Sequence, residues 1–168
     1  MAYVCFYGEN SPFSNWYKAP FKYRGIQFSS SEQHYMWRKA VYFHDAETAQ
    51  KILATNNPKT QKHLGGQVDG YNDTAWKKVC LKVMKEGLMC KFHQNPDLKR
   101  QLLITIGILV EASPYDKYWG VGLLLTDPAI QSCVNWEGSN HLGYLLTEVR
   151  EELWCNPPEP TPSGSAAC

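Results

Sequence analysis

Apolar positions recur along this chain in a few distinct rhythms. From Thr74 to His93 they return every three or four residues, through Trp76, Val79, Cys80, Val83, Met84, Leu88 and Phe92. That spacing predicts one long amphipathic helix. Gly87 lies inside it, where glycine costs about 1 kcal/mol relative to alanine, so close packing against a neighbour is the expectation there. A second stripe, Leu142, Leu145, Leu146, Val149 and Leu153, predicts the last helix, with Asn140 as its cap. Tyr3 to Tyr7 and Ile108 to Ala112 are short apolar runs that predict buried strands. Phe21 to Phe28 alternates apolar and polar residues around Arg24-Gly25, which predicts a hairpin with Gly25 at positive φ.

Between these elements the polar residues act as punctuation. Ser29-Ser30-Ser31 precedes good helix formers, so a helix is expected from there to about Tyr42. Both Ser29-x-x-Glu32 and Ser30-x-x-Gln33 fit a capping box. The first would occupy the Glu32 carboxylate and the second would free it. Asp45 is placed to cap a helix over 46–54, Pro58 to open one ended by Gly65-Gly66, and Pro96 to open one to about Leu103. Ser113 to Gly122 and Trp136 to Asn140 are expected as shaped loops. Cys155 to Cys168 is rich in Pro, Ser, Gly and Ala, and is expected to be a flexible tail behind a domain over 1–154.

Composition narrows the chemistry. The 168 residues suit one domain. Seventeen basic residues face sixteen acidic ones, so no basic footprint grips duplex nucleic acid through its phosphates. Six Trp, ten Tyr and six Phe can build a core or line a cleft for a flat or sugar-bearing ligand. The six cysteines form no Cys-x-x-Cys pair, and neither they nor the histidines show zinc-ligand spacing, so a reducing compartment and no metal are expected. No basic leader opens the chain, and no stretch reaches the roughly 20 apolar residues of a membrane span. The expectation is an intracellular, cytoplasmic protein without membrane attachment, with the nucleus as the second choice.

Several side chains carry candidate chemistry. Glu32 and Lys39 lie two helical turns apart on one face, with Tyr35 and Met36 between them. An acid and an amine held on one rigid helix suit acid/base or amine chemistry. Asp116 and Trp119 occupy a loop, where site residues concentrate; a turn residue and a core plug are the plainer alternatives. Trp16 and Trp76 face the same choice between core and ligand. Asn15 and Asn140 can brace loops or read sugar hydroxyls. Gly65-Gly66 lacks the Lys-Ser/Thr of a phosphate-binding loop.

The loops decide between these options. Phe6-Tyr7, Ser11-Pro12-Phe13-Ser14-Asn15-Trp16, Ser31-Glu32-Gln33-His34-Tyr35 with Lys39-Ala40, His63-Leu64-Gly65, Trp76, Glu86-Gly87-Leu88 with Lys91-Phe92-x-Gln94-Asn95, Val110-Glu111-Ala112-Ser113-Pro114-x-Asp116 with Trp119-Gly120-x-Gly122, and Trp136-x-Gly138-x-Asn140-x-Leu142-Gly143 with Val149-Arg150 occur in this order. The set resembles the YbiA-like, or NADAR, family over about residues 5 to 154. The resemblance implies a compact, predominantly helical α+β domain with a few short strands. It implies cleavage of N-glycosidic bonds at a ribose C1: ADP-ribose removed from guanine in DNA, RNA or nucleotide, or phosphorylated riboflavin intermediates cleaved.

The resemblance also assigns roles. Glu32 becomes the general acid/base, with Lys39 as its partner and Ser30 as the expected helix cap. Two mechanisms fit: Glu32 or Asp116 manages the proton on the leaving base while an oxocarbenium-like ribose takes up water, or the sugar ring opens and Lys39 forms a Schiff base at C1. Asp116 and Trp119, with Gly120 in the same motif, would hold the ribose, and Trp76 would stack on the base. Asn15, Trp16, Tyr35 and Asn140 would line the substrate pocket. Glu111 and Arg150 are expected to brace the fold. Many relatives carry an arginine where this chain has Gly66, so Lys62, Lys91 or helix N-terminal amides would grip phosphate here. No cofactor and no obligate protein partner are implied. A non-catalytic ADP-ribose reader is the competing class, disfavoured by the retention of Glu32, Lys39 and Asp116.

Overall fold

One serine decides where the central helix starts. In the computed structural model, which describes residues 2–156, Ser30 has extended backbone and its hydroxyl accepts the Gln33 N–H at 3.2 Å, opening α1 (Ser31–Tyr42). Gln33 reaches back to the Ser29 N–H at 2.7 Å and donates to the carbonyls of Ile52 (3.1 Å) and Thr55 (2.9 Å). One amide thus reaches back past the cap residue and ties α1 to the end of α2 (Ala46–Leu53) and the connection after it. The Glu32 carboxylate takes no part in the cap.

α1 packs against α2, α3 (Pro58–Gly65) and α5 (Cys80–Gln94). The hairpin β2 (Phe21–Tyr23) and β3 (Ile26–Phe28) pairs antiparallel, Phe21 opposite Phe28. Both Arg24 (φ 49°) and Gly25 (φ 79°) are left-handed, so the turn has positive φ at two residues where one was expected. Strand β1 (Tyr3–Phe6) pairs in parallel with β4 (Ile108–Glu111), placing Phe6 opposite Glu111. A parallel pair needs a crossover, and here all the intervening helices supply it.

The long periodic stretch is two helices, α4 (Asp73–Lys77) and α5, rather than one. Asn72 caps α4 by accepting the Ala75 N–H at 2.8 Å, and Val79 leaves helical geometry (φ −123°). The break turns Trp76 onto α1, where its indole N–H donates to the Tyr35 hydroxyl at 2.8 Å. Gly87 is packed as expected: a Cβ there would lie 2.5 Å from His34 Nδ1. His34 is fully buried among Phe21, Tyr23 and Phe28. Burial, reinforced by Arg38, pushes its imidazole down to about 3, so it is neutral.

The core joins α5, α6 (Pro96–Leu103), α7 (His141–Cys155) and β4 through Leu88, Phe92, Leu102, Leu109, Leu142, Leu146 and Val149. The fold is α+β and predominantly helical, with four short strands among the described residues. None of the described helices is long and apolar enough to cross a membrane. α7 runs through Cys155, so the first residue of the expected tail is helical; the rest, from 157 onward, lies outside the described residues.

Candidate active site

The first turn of α1, the end of β4 and two loops converge on one cavity of about 150 Å³. The loop after β1 supplies Ser14, Asn15 and Trp16, and α1 supplies Glu32, Tyr35 and Met36. Lys62 comes from α3, Met84 from α5, Glu111 from β4, and Asp116 and Trp119 from the loop that follows. Trp16 is also a wall of two outer chambers. One, about 460 Å³, shares Ser14, Lys62, Glu111 and Asp116 with the inner cavity and is rimmed by Tyr7 and Tyr115. The other, about 410 Å³, runs past Asn10, Lys18 and Pro58. Two further grooves beside Trp154, of about 360 and 570 Å³, bring no buried carboxyl group to their walls.

Glu32 is 6% exposed, and its backbone N–H is held by the Asn15 carbonyl at 3.0 Å. Its Oε1 is buried and meets no hydrogen-bond partner. Burial pushes its carboxyl up to about 7; Lys62 and Lys39 pull it down and Asp116 pushes it further up. Glu111 has a buried, unpartnered Oε2 as well. Burial, then the Asp116 and Glu32 charges, push it up to about 8 against the pull of Lys62. Unpartnered buried carboxyl oxygens are costly, and they collect where chemistry is done.

A family model for the NADAR domain matches residues 5–154. The chain belongs to the NADAR domain family. It is 39% identical to N-glycosidase R617 of Acanthamoeba polyphaga mimivirus, over 89% of this chain and 95% of that one. It is 32% identical to N-glycosidase YbiA of Escherichia coli K12, over 88% of this chain and 82% of the relative. Protein irg-1 of Caenorhabditis elegans is 37% identical over 90% of this chain and 80% of its own length. The solution structure of E. coli YbiA superposes with a TM-score of 0.77 at 29% identity, covering 95% of this chain and 89% of that one. With such relatives, this NADAR chain is an enzyme of the hydrolase class that acts on N-glycosyl bonds.

Six residues expected at the site line the NADAR cavity: Asn15, Trp16, Glu32, Tyr35, Asp116 and Trp119. Asn15 is positioned by the Ser31 hydroxyl, which donates to its Oδ1 at 2.9 Å. Asp116 is a turn residue and a wall at once: its Oδ1 accepts the N–H groups of Tyr118 (3.0 Å) and Trp119 (2.8 Å). Trp119 meets Tyr35 edge to face at 5.4 Å. Burial raises the Tyr35 phenol far above its ordinary value, so it remains a neutral donor.

Five residues expected at the site do not line this cavity. Lys39 is not a wall residue of the cavity, although its charge acts on Glu32: its Nζ sits 4.2 Å over the Tyr71 ring, with burial lowering its pKa against Asp73 and Glu32. A shared helix face fixes only the Cα direction, and the long side chain turns to the aromatic ring. Trp76 is buried behind Tyr35 rather than open to a base. Lys91 is buried, and its Nζ donates to the Ser14 carbonyl at 2.9 Å, bracing the loop that carries Asn15 and Trp16. Gly120 is a backbone junction; a Cβ there would lie 2.9 Å from both the Asp116 and Glu111 carbonyls. Asn140 sits at the N-cap of α7 in left-handed geometry (φ 51°), but its side chain makes no cap. It bonds β4 instead.

Two charged wall residues lacked a catalytic assignment in the sequence. Lys62 was weighed only as a phosphate ligand, and Glu111 as a brace. The one signal for Glu111 was a carboxylate interrupting the apolar run Ile108 to Ala112.

Proposed function

We propose that this chain removes ADP-ribose from guanine bases, in nucleic acid or nucleotide, by hydrolysing the bond between ribose C1 and nitrogen. The observation that carries it is the unpartnered Glu32 carboxyl in a small cavity. A volume near 150 Å³ is below the roughly 300 Å³ of sites that enclose a drug-sized ligand. It suits one sugar ring, with the rest of an extended substrate running into the outer chambers on either side of Trp16. Glu32 serves there as acid/base, with its carboxyl near 7 suited to proton transfer at neutral pH.

Loss of the base leaves an oxocarbenium-like ribose, to which water adds. Asp116, held by two backbone N–H groups, faces the developing positive charge with Trp119 beside it. The Schiff-base route expected from Lys39 needs an amine on the cavity wall, and Lys62 is the lysine found there.

A second reading is hydrolysis of phosphorylated riboflavin-pathway intermediates. It is favoured by a segment of 78 residues, 45% identical to the chloroplastic riboflavin biosynthesis protein PYRR of Arabidopsis thaliana; the match covers 46% of this chain and 11% of that protein. Incubation with ADP-ribosylated guanine oligonucleotide and with the riboflavin intermediates separates the two. Free ADP-ribose from the first supports the guanine reading, and ribose phosphate from the second alone replaces it. Tight ADP-ribose binding with neither product would make the chain a reader.

A further inference from the structure

Glu111 sits across the cavity from the role it was expected to fill. It makes no ion pair with Arg150, whose guanidinium donates instead to the carbonyls of Thr105 and Gly107 and the Thr105 hydroxyl. Its backbone, by contrast, is clamped. Its N–H donates to Asn140 Oδ1 at 3.0 Å, its carbonyl accepts the Val121 N–H at 2.9 Å, and Phe6 pairs opposite it in the sheet. So rigid a backbone carrying a carboxyl whose Oε2 is buried and unpartnered is a positioned reactive group rather than a brace.

We infer that Glu111 is the general acid that protonates the departing base, while Glu32 takes the proton of the attacking water. The inference rests on the N-glycosidase reading above. In the step, the C1–N bond breaks and its electron pair goes to the base nitrogen, which receives the proton from Glu111. The water oxygen bonds to C1 and its proton passes to Glu32. Glu111 is left ionised and Glu32 protonated, and one proton moved between them through solvent restores the start. Position assigns the two roles: Glu111 lines both the inner cavity and the outer chamber rimmed by Tyr7 and Tyr115, where a departing base would lie, whereas Glu32 lines the inner cavity alone. The charges facing Glu111 are consistent with this: Glu32 from α1 and Asp116 from the following loop favour its neutral form, and Lys62 from α3 opposes them. Glu9 lines the outer chamber beyond. Burial pushes both carboxyls up, Glu111 to about 8 and Glu32 to about 7, so a proton is available at the site near neutral pH. Asp116 is already committed as acceptor to two N–H groups and is the weaker choice for a donor.

The test compares leaving groups, using the full chain. Wild type, Glu111→Gln and Glu32→Gln are assayed on ADP-ribosylated guanine, on a phosphorylated riboflavin intermediate, and on an ADP-ribosyl pyridinium whose leaving group needs no proton. Thermal melts verify folding. Glu111→Gln is expected to lose about 100-fold or more in kcat on any neutral-base substrate that the wild type cleaves, and less than about 10-fold on the pyridinium. The alkaline limb of its pH profile should vanish, with KM little changed. Glu32→Gln should lose activity on all substrates. Equal losses of Glu111→Gln on both leaving-group classes, or an unchanged alkaline limb, would overturn the assignment. A wild type active on the riboflavin intermediate but not on guanine defeats the guanine reading alone, and the comparison stands on the substrate cleaved. A wild type inactive on every N-glycoside overturns both.

Discussion

Asn140 holds Glu111 in place: its Oδ1 accepts the Glu111 N–H at 3.0 Å while its Nδ2 donates to the Leu109 carbonyl at 3.0 Å. One fully buried amide thereby satisfies the free edge of β4 and aims its last residue at the cavity. Asn140→Ala leaves two buried backbone groups unpaired, each costing about 1–3 kcal/mol, and strains a left-handed position. A clear fall in midpoint in thermal or denaturant unfolding is expected, with activity reduced in the fraction that remains folded. Asn140→Gly, which tolerates the backbone geometry but lacks the amide, should recover only part of the stability.

The raised carboxyls make the protein less stable as pH rises. Glu32 moves from 4.5 unfolded to about 7 folded, so the folded state binds its proton more tightly. That contribution is complete below about pH 4.5 and is lost as pH climbs through 7, a change of about 3 kcal/mol. Glu111, at about 8, extends the loss upward. Glu32→Gln removes the titrating group. In chemical denaturation from pH 5 to pH 8 it should gain stability relative to wild type, and a difference independent of pH would refute the raised value.

Borohydride under turnover separates the two lysines. If a Schiff base forms at C1, reduction yields a protein–sugar adduct that survives in Lys39→Ala and disappears in Lys62→Ala, because only Lys62 lines the cavity. Mass mapping of the adduct to Lys39 would contradict the geometry. Absence of any adduct would leave direct water attack as the route.

The contact between α1 and α5 tolerates no added methyl at its tightest point. A Cβ at residue 87 would press on His34 Nδ1 at 2.5 Å, and His34 is enclosed by three rings. Gly87→Ala gains helix propensity of about 1 kcal/mol but meets overpacking of about 1–3 kcal/mol. Net destabilisation in urea unfolding is expected. Stabilisation would show that His34 can swing aside.

What could be read along the chain was local. Apolar spacing and caps placed β1, the hairpin, α1, α2, α3, α6, β4 and α7, because the residues that make each signal are sequence neighbours. The competition between Ser29 and Ser30 was also local, and the cap chosen leaves Glu32 free. The break between α4 and α5 was not legible, because Trp76 and Val79 keep helical periodicity straight through it while a bond to Tyr35 turns the first helix aside.

By itself the sequence determined most of the elements, the family motifs and six of the residues that meet at the cavity. Only the tertiary structure decided which charged groups share it. Lys39 read as the partner of Glu32 and Lys91 as a phosphate ligand, yet one lies over Tyr71 and the other is spent on the Ser14 carbonyl. Glu111 read as a brace, yet pairing of β4 with β1 and the bond to Asn140 bring it to the same cavity as Glu32. The physical reason is that periodicity specifies which face of an element is buried. Where a long side chain ends, and whether its charge is solvated or stranded, depends on contacts made by residues far away in the chain.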